Sequence, residues 1–138
     1  MRPKLTFAHK TVLFMSLLPL ALGLGNLVRL GGAVYFALRL PDLPMTVSWT
    51  YLATMGGLWG AVFIACVVGL VRFRSWGRWS TLVATTLYEA HVWLNHLLFD
   101  ASDYAYMVWP RDLVLTALLL VVVWGTLNWP GVRKVFGR

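Results

Sequence analysis

Residues 48–71 read SWTYLATMGGLWGAVFIACVVGLV, a run with no charged side chain. As a helix rising about 1.5 Å per residue it is long enough to cross a hydrocarbon layer of ~30 Å, for which about 20 apolar residues suffice. In lipid a helix satisfies every backbone N–H and C=O within one segment, so such a run is read as a membrane span. Three further stretches of the same character lie at residues 11–28, 79–99 and 113–132, and together with 43–71 they hold a single charged side chain, Glu89. The expectation is an all-α integral membrane four-helix bundle, a single domain over residues 1–138, with spans near 11–28, 48–71, 79–99 and 113–131.

Composition agrees: 59% of the chain is hydrophobic, 12% is charged and eight residues are Trp. The candidate loops at 29–42 and 100–112 are too short to bury a water-soluble core, which confines any chemistry to the bundle or its two surfaces. The net charge of +7 would suggest nucleic acid in a soluble protein, but its distribution follows the membrane. Placing the N-terminus inside puts Arg2, Lys4, Lys10, Arg72, Arg74, Arg78, Arg133, Lys134 and Arg138 on one side with no carboxylate, nine of the twelve basic residues. Arg29, Arg39 and Arg111 then share the other side with Asp42, Asp100, Asp103 and Asp112. That asymmetry obeys the positive-inside rule and predicts both termini in the cytoplasm and a multi-pass protein of the inner or plasma membrane.

A cleaved signal peptide is the competing reading of the first stretch, with Ala21, Leu22 and Gly23 as a small-x-small cleavage site. The apolar run continues through Leu24, Leu27 and Val28, as a retained span requires. Pro19 and the glycines at 23, 25, 31 and 32 predict a bend, with residues 30–40 forming an interfacial or tilted helical extension. Pro41, Asp42, Leu43 and Pro44 predict the turn into the second span, since the residue before each proline is pushed from helical geometry. Tyr104, Tyr106, Trp109 and Pro110 mark the outer interface, and Trp76, Trp79, Trp124 and Trp129 the inner one. The lone Cys66 cannot form an internal disulfide.

In the second span Ala53, Gly57, Ala61, Ala65 and Gly69 recur every four residues, with Gly56 and Gly60 beside them in G-x-x-x-G spacing. Such a ridge lets two helix backbones approach closely, in a solvent where apolar burial alone does not bring helices together. It serves either internal packing or a dimer seam.

The third span concentrates the polar chemistry in Thr85, Thr86, Tyr88, Glu89, His91, Asn95 and His96. At ~100° per residue Thr85, Glu89 and His96 fall within about 40° of one another, with Tyr88, His91 and Asn95 on the adjoining arc and leucines opposite. A carboxylate in mid-span is costly unless protonated, paired or hydrated, which makes Glu89 the leading candidate for function. Its bland alternative is a neutral acid hydrogen-bonded to a neighbouring helix. His91 and His96 stand ~140° apart on the helix and form no i, i+4 ligand pair, and His9 lies most of a bilayer from His96, so no metal, haem or other cofactor is expected. No hydrolase, nucleotide-binding or redox motif is present, and no catalytic residue is assigned.

The inner turn at residues 72–79, RFRSWGRW, and the tail at 129–136, WPGVRKVF, resemble in layout those of small four-span bacterial membrane proteins of unassigned role. The resemblance implies the span count and no site. Two functions follow from the residues: a non-catalytic accessory or scaffold subunit held by the lipid bilayer and by self-association or other membrane subunits, or a homodimeric proton-coupled transporter or channel. In the second, Glu89 titrates and Tyr88, Trp93, Asn95 and His96 line the path.

Overall fold

A computed structural model describes residues 6–100 and 102–136; Arg2, Lys4 and Arg138 of the inner charge set lie outside the described residues. Every regular element is helical: α1 (Phe7–Met15), α2 (Leu17–Arg39), α3 (Trp49–Val71), α4 (Ser75–Phe99), α5 (Asp103–Asn128) and α6 (Pro130–Arg133), closed by a 3-10 turn at Lys134–Phe136. Three segments combine the length and hydropathy needed to cross a membrane: Phe7–Arg39, Trp49–Val71 and Asp103–Asn128. Helix α4, with 25 residues, is as long but carries Arg78, Glu89 and the polar run, and is not among them.

α1 and α2 form one rod interrupted only at Ser16, whose hydroxyl donates to the Leu13 carbonyl at 2.6 Å. The interruption falls one turn before Pro19, which lacks the N–H that would have continued the ladder. Residues 30–40 are expected as a helical extension of the first span, and α2 runs on through them without a break, from Leu17 to Arg39. Phe36 stacks on Trp49 at 5.9 Å, and Leu30 lies against Gly56, which keeps the end of α2 on α3.

α3 runs antiparallel to α2 through bare backbone. A Cβ on Gly56 would stand 2.9 Å from the Asn26 carbonyl oxygen and 2.9 Å from the Leu30 nitrogen, and one on Gly60 would stand 2.7 Å from Leu27. Of the expected ridge, Gly69 is buried, Ala53 and Gly57 are half-buried, and Ala61 and Ala65 are exposed. The contact row is therefore Gly56, Gly60, Phe63 and Cys66, one position round from the four-residue repeat.

The α3–α4 turn is tight. Arg74 N–H donates to the Gly69 carbonyl at 3.0 Å and Phe73 N–H to Leu70 at 2.9 Å, with Phe73 in the left-handed region at φ 53°. That conformation costs a non-glycine residue about 1–2 kcal/mol. Burial of the Phe73 ring against His9, centroids 5.0 Å apart, offsets the cost. α3 and α4 then cross with glycine on glycine: a Cβ on Gly77 would lie 2.2 Å from the Gly69 carbonyl carbon.

α5 begins at Asp103, ten residues before the expected start of the span at 113, where the Ser102 hydroxyl caps it, accepting from Ala105 N–H at 3.2 Å. An acid in the first turn adds to that start, and Pro110 is accommodated within the helix. At its other end α5 stops at Asn128, short of the expected 131, and Pro130 opens α6 at a position where its missing N–H is no loss. The tail folds back. Val132 and Phe136 join Val12, Met15, Leu70, Leu82, Val123 and Leu127 in one buried cluster.

This cluster closes the end of the bundle that carries α1, α6 and the α3–α4 turn, called here the base. Arg78, expected in the inner turn, is instead inside α4 and 7% exposed. It donates to Asn128 Oδ1 at 2.9 Å and to the Leu127 carbonyl at 3.5 Å while stacking over Trp79. A cation on the last carbonyls of α5 suits the negative end of that helix dipole.

The glycine crossing generates a test. Gly77→Ala forces two backbones apart and is expected to destabilise the fold by ~1–3 kcal/mol or more, whereas Gly25→Ala, which meets nothing within 4 Å, is expected to leave reversible unfolding in mixed micelles unchanged.

Candidate functional site

The polar residues of α4 divide between two neighbours. Tyr88, His91 and Asn95, at i, i+3 and i+7, face α2 and α3; Glu89 faces α5. Thr85 is fully buried with its hydroxyl unpartnered among the described residues, and Thr86 accepts from Trp124 Nε1 at 3.0 Å.

On the α3 side, the Tyr51 hydroxyl donates to Asn95 Oδ1 at 2.7 Å, and the Asn95 amide nitrogen lies 3.1 Å from His91 Nε2. With its oxygen occupied, Asn95 turns its amide protons to His91, so Nε2 accepts and the ring proton resides on Nδ1. Asn95 thus holds His91 as a neutral donor. Trp59 packs on both His91 and Tyr88, at 5.8 and 5.2 Å between centroids, and Tyr88 also meets Phe63 edge-on at 5.2 Å. Asn26, 4% exposed within α2, donates to the Leu22 carbonyl at 2.8 Å and reaches the Tyr88 hydroxyl at 3.4 Å.

These side chains surround a cavity of about 430 Å³ between α2, α3 and α4, which extends to Val47, Phe99 and Asp100 at the end opposite the base, the loop end. His96 lies on its border, engaged through Nδ1 by the Asp100 carboxylate one turn on. Arg29 of α2 also lines it, and the ion pairs among the described residues, His96 with Asp100 and Arg111 with Asp112, leave Arg29 out.

On the α5 side, the Thr116 hydroxyl donates to Glu89 Oε2 at 2.8 Å and accepts from Trp93 Nε1 at 3.1 Å. The carboxylate borders a smaller recess of about 360 Å³ with Ala21, Leu22, Gly25, Asn26 and Arg29. Asn26, Arg29, Tyr88 and Val92 line both spaces and stand between them. The six candidates of α4 therefore do not share one site: Tyr88, His91, Asn95 and His96 line the cavity, Glu89 is hydrogen-bonded across to α5, and Thr85 lies deeper, toward the base.

Sequence reasoning did not assign Tyr51, Arg29, Asn26 and Thr116 to these groups. Thr116 stands alone among apolar residues from 113 to 125, a solitary donor that signals an interhelical hydrogen bond. Nothing in residues 26, 29 and 51 taken singly reveals that they meet. The arrangement holds a ring nitrogen, a guanidinium and several aromatic faces around an open volume, chemistry suited to binding. It contains no nucleophile paired with a base. No protein-family model, curated protein or solved structure matches the chain.

Thr116→Val removes both the donor to Glu89 and the acceptor for Trp93. Interhelical hydrogen bonds in membrane proteins are worth about 0.6 and at most ~1.7 kcal/mol each, so the substitution is expected to lower unfolding free energy in mixed micelles by ~1–3 kcal/mol. Glu89→Gln, which still accepts from Thr116, is expected to lose less.

Proposed function

We propose that the chain is a non-catalytic accessory or scaffold subunit of the cell's inner or plasma membrane, crossing it four times with both termini cytoplasmic. α4 is taken as the fourth crossing because it joins the base end of α3 to the loop end of α5, two helices that are themselves apolar enough to span. Exposed Lys10, Arg72, Arg74, Arg133 and Lys134 gather at the base beside half-exposed Trp76, Trp79 and Trp129. Basic residues with tryptophans mark a cytoplasmic interface.

The observation that carries the scaffold reading is the bareness of α5. Only 6% of its most apolar stretch is buried, against 33% in each of the other two segments. Away from the base it packs mainly on α4, and a groove remains between it and the α1–α2 rod, lined by Phe14, Met15, Leu17, Leu18, Ala21, Leu22 and Val122. Ala21 and Gly25 present small side chains toward this side of α2, and Gly25 has open space before it. Close helix approach in lipid uses small residues of this kind. The proposed occupant is a transmembrane helix of another subunit.

A second reading, the homodimeric proton-coupled transporter, draws on the recess that Glu89 shares with Arg29, where a carboxyl and a cation lie on one wall without an ion pair. A single experiment separates the two. A photo-crosslinking amino acid at Val122 in native membranes is expected to join the chain to one other polypeptide at fixed stoichiometry, and one at the buried Phe63 to none. Crosslinking of the chain only to itself would overturn the scaffold reading in favour of the dimer, and crosslinking to lipid alone would overturn both.

A further inference from the structure

We propose that the cavity between α2, α3 and α4 is a binding site for a small planar aromatic anion that enters from the loop end. The cavity shares no lining residue with the groove offered to a partner helix, so the proposal goes beyond the scaffold reading and does not depend on it.

Size sets the first limit. At about 430 Å³ the cavity falls within the ~300–1,000 Å³ of typical small-molecule sites. Its walls set the second: Trp49, Tyr51, Trp59, Tyr88 and Phe99 present aromatic surface from three elements. Rings of this kind favour a flat, conjugated ligand through offset and edge-on packing.

Charge sets the third. Arg29 stands beside Leu30, whose backbone meets Gly56, seven residues inside the first residue of α3 or about 10 Å from that end, and its side chain, exposed overall, lines the cavity. A cation bordering an aromatic cavity in a membrane protein is a functional candidate. Two acids line a space with Arg29 and neither forms an ion pair with it: Asp100 on the cavity's border is engaged by His96, and Glu89 in the adjoining recess accepts from the Thr116 hydroxyl. The guanidinium fork matches a carboxylate in two parallel hydrogen bonds. His91, held by Asn95 with its proton on Nδ1, adds a second donor without adding a charge. A cation finds no free acid here, and a neutral molecule leaves Arg29 unanswered. Aromatic walls with a single unpaired cation therefore select an aromatic anion.

The test uses the full chain in lipid nanodiscs and three probes with the same ring system: naphthoate, naphthylmethanol and naphthylmethylammonium, followed by equilibrium dialysis. Naphthoate is expected to bind saturably at one site per chain, about 10- to 100-fold more tightly than naphthylmethanol, the range that charge-assisted hydrogen bonding supplies. The ammonium is expected to bind least. Arg29→Gln is expected to bring naphthoate down to the affinity of naphthylmethanol while leaving naphthylmethanol unchanged, and Trp59→Leu to weaken both. Equal affinity of naphthoate and naphthylmethanol for the unmodified chain, non-saturable partitioning of all three, or undiminished naphthoate binding in Arg29→Gln would overturn the proposal. The first comparison needs no substitution, so it stands even where a variant fails to fold.

Discussion

The crossing of α3 and α4 at Gly69 and Gly77 governs the rest of the architecture. With no side chain on either glycine, the two backbones touch at the base, where a Cβ on Gly77 would fall 2.2 Å from the Gly69 carbonyl carbon. Toward the loop end the same two helices are separated by Trp59, Tyr88, His91, Tyr51 and Phe99, whose ring centroids stand 5.2–6.2 Å apart. Interaxial distance follows the bulk of the side chains at the contact. Glycine at one end and rings at the other make a wedge, and the cavity is its open side. The tail seals the narrow end, where α6, α1 and the ends of α3 and α5 bury Val12, Leu70, Val123, Leu127 and Val132 completely.

Polar groups follow the same division. At the base the one deep cation, Arg78, finds the last carbonyls of α5 and the Asn128 amide oxygen, and it ties the bundle shut. In the wide part, hydrogen bonds run across helices from Tyr51 to Asn95 and from Thr116 to Glu89, each too weak to draw helices together yet able to set their rotation. Arg29, an exposed cation on α2 that borders both the cavity and the recess at Glu89, forms an ion pair with neither Glu89 nor Asp100.

The sequence carried the all-helical character and the apolar segments because a helix that crosses lipid needs a long uncharged run, within which it satisfies its own backbone groups. Helix ends were less legible. α5 starts at a serine cap ten residues before its apolar run, and α2 continues through Gly31 and Gly32 because Phe36 and Leu30 find α3; both are decided by local hydrogen bonds and tertiary contact, not by hydropathy. The small-residue repeat pointed at the right helix and a face one position away, since Gly56 and Gly60 meet α2 while Ala61 and Ala65 do not. In the candidate site, the helical wheel put Thr85, Glu89 and His96 on one arc and Tyr88, His91 and Asn95 on the next; the structure turns Glu89 to α5 but sets His96 on the cavity's border with the latter three and Thr85 deeper toward the base. Which helix each arc meets depends on the neighbour order, so the roles of Tyr51, Asn26 and Thr116 had no signature in one span read alone.

The proposed arrangement, a bundle closed at a cytoplasmic base and open toward the opposite surface, is tested most directly by labelling single cysteines in a Cys66→Ser background with a membrane-impermeant maleimide added outside intact cells. Asn95→Cys, on the cavity wall, is expected to react from outside, and Val132→Cys, in the sealed base, to remain unlabelled until the protein is denatured. Reaction of Asn95→Cys only after the cells are opened, or labelling of Val132→Cys from outside, would contradict it.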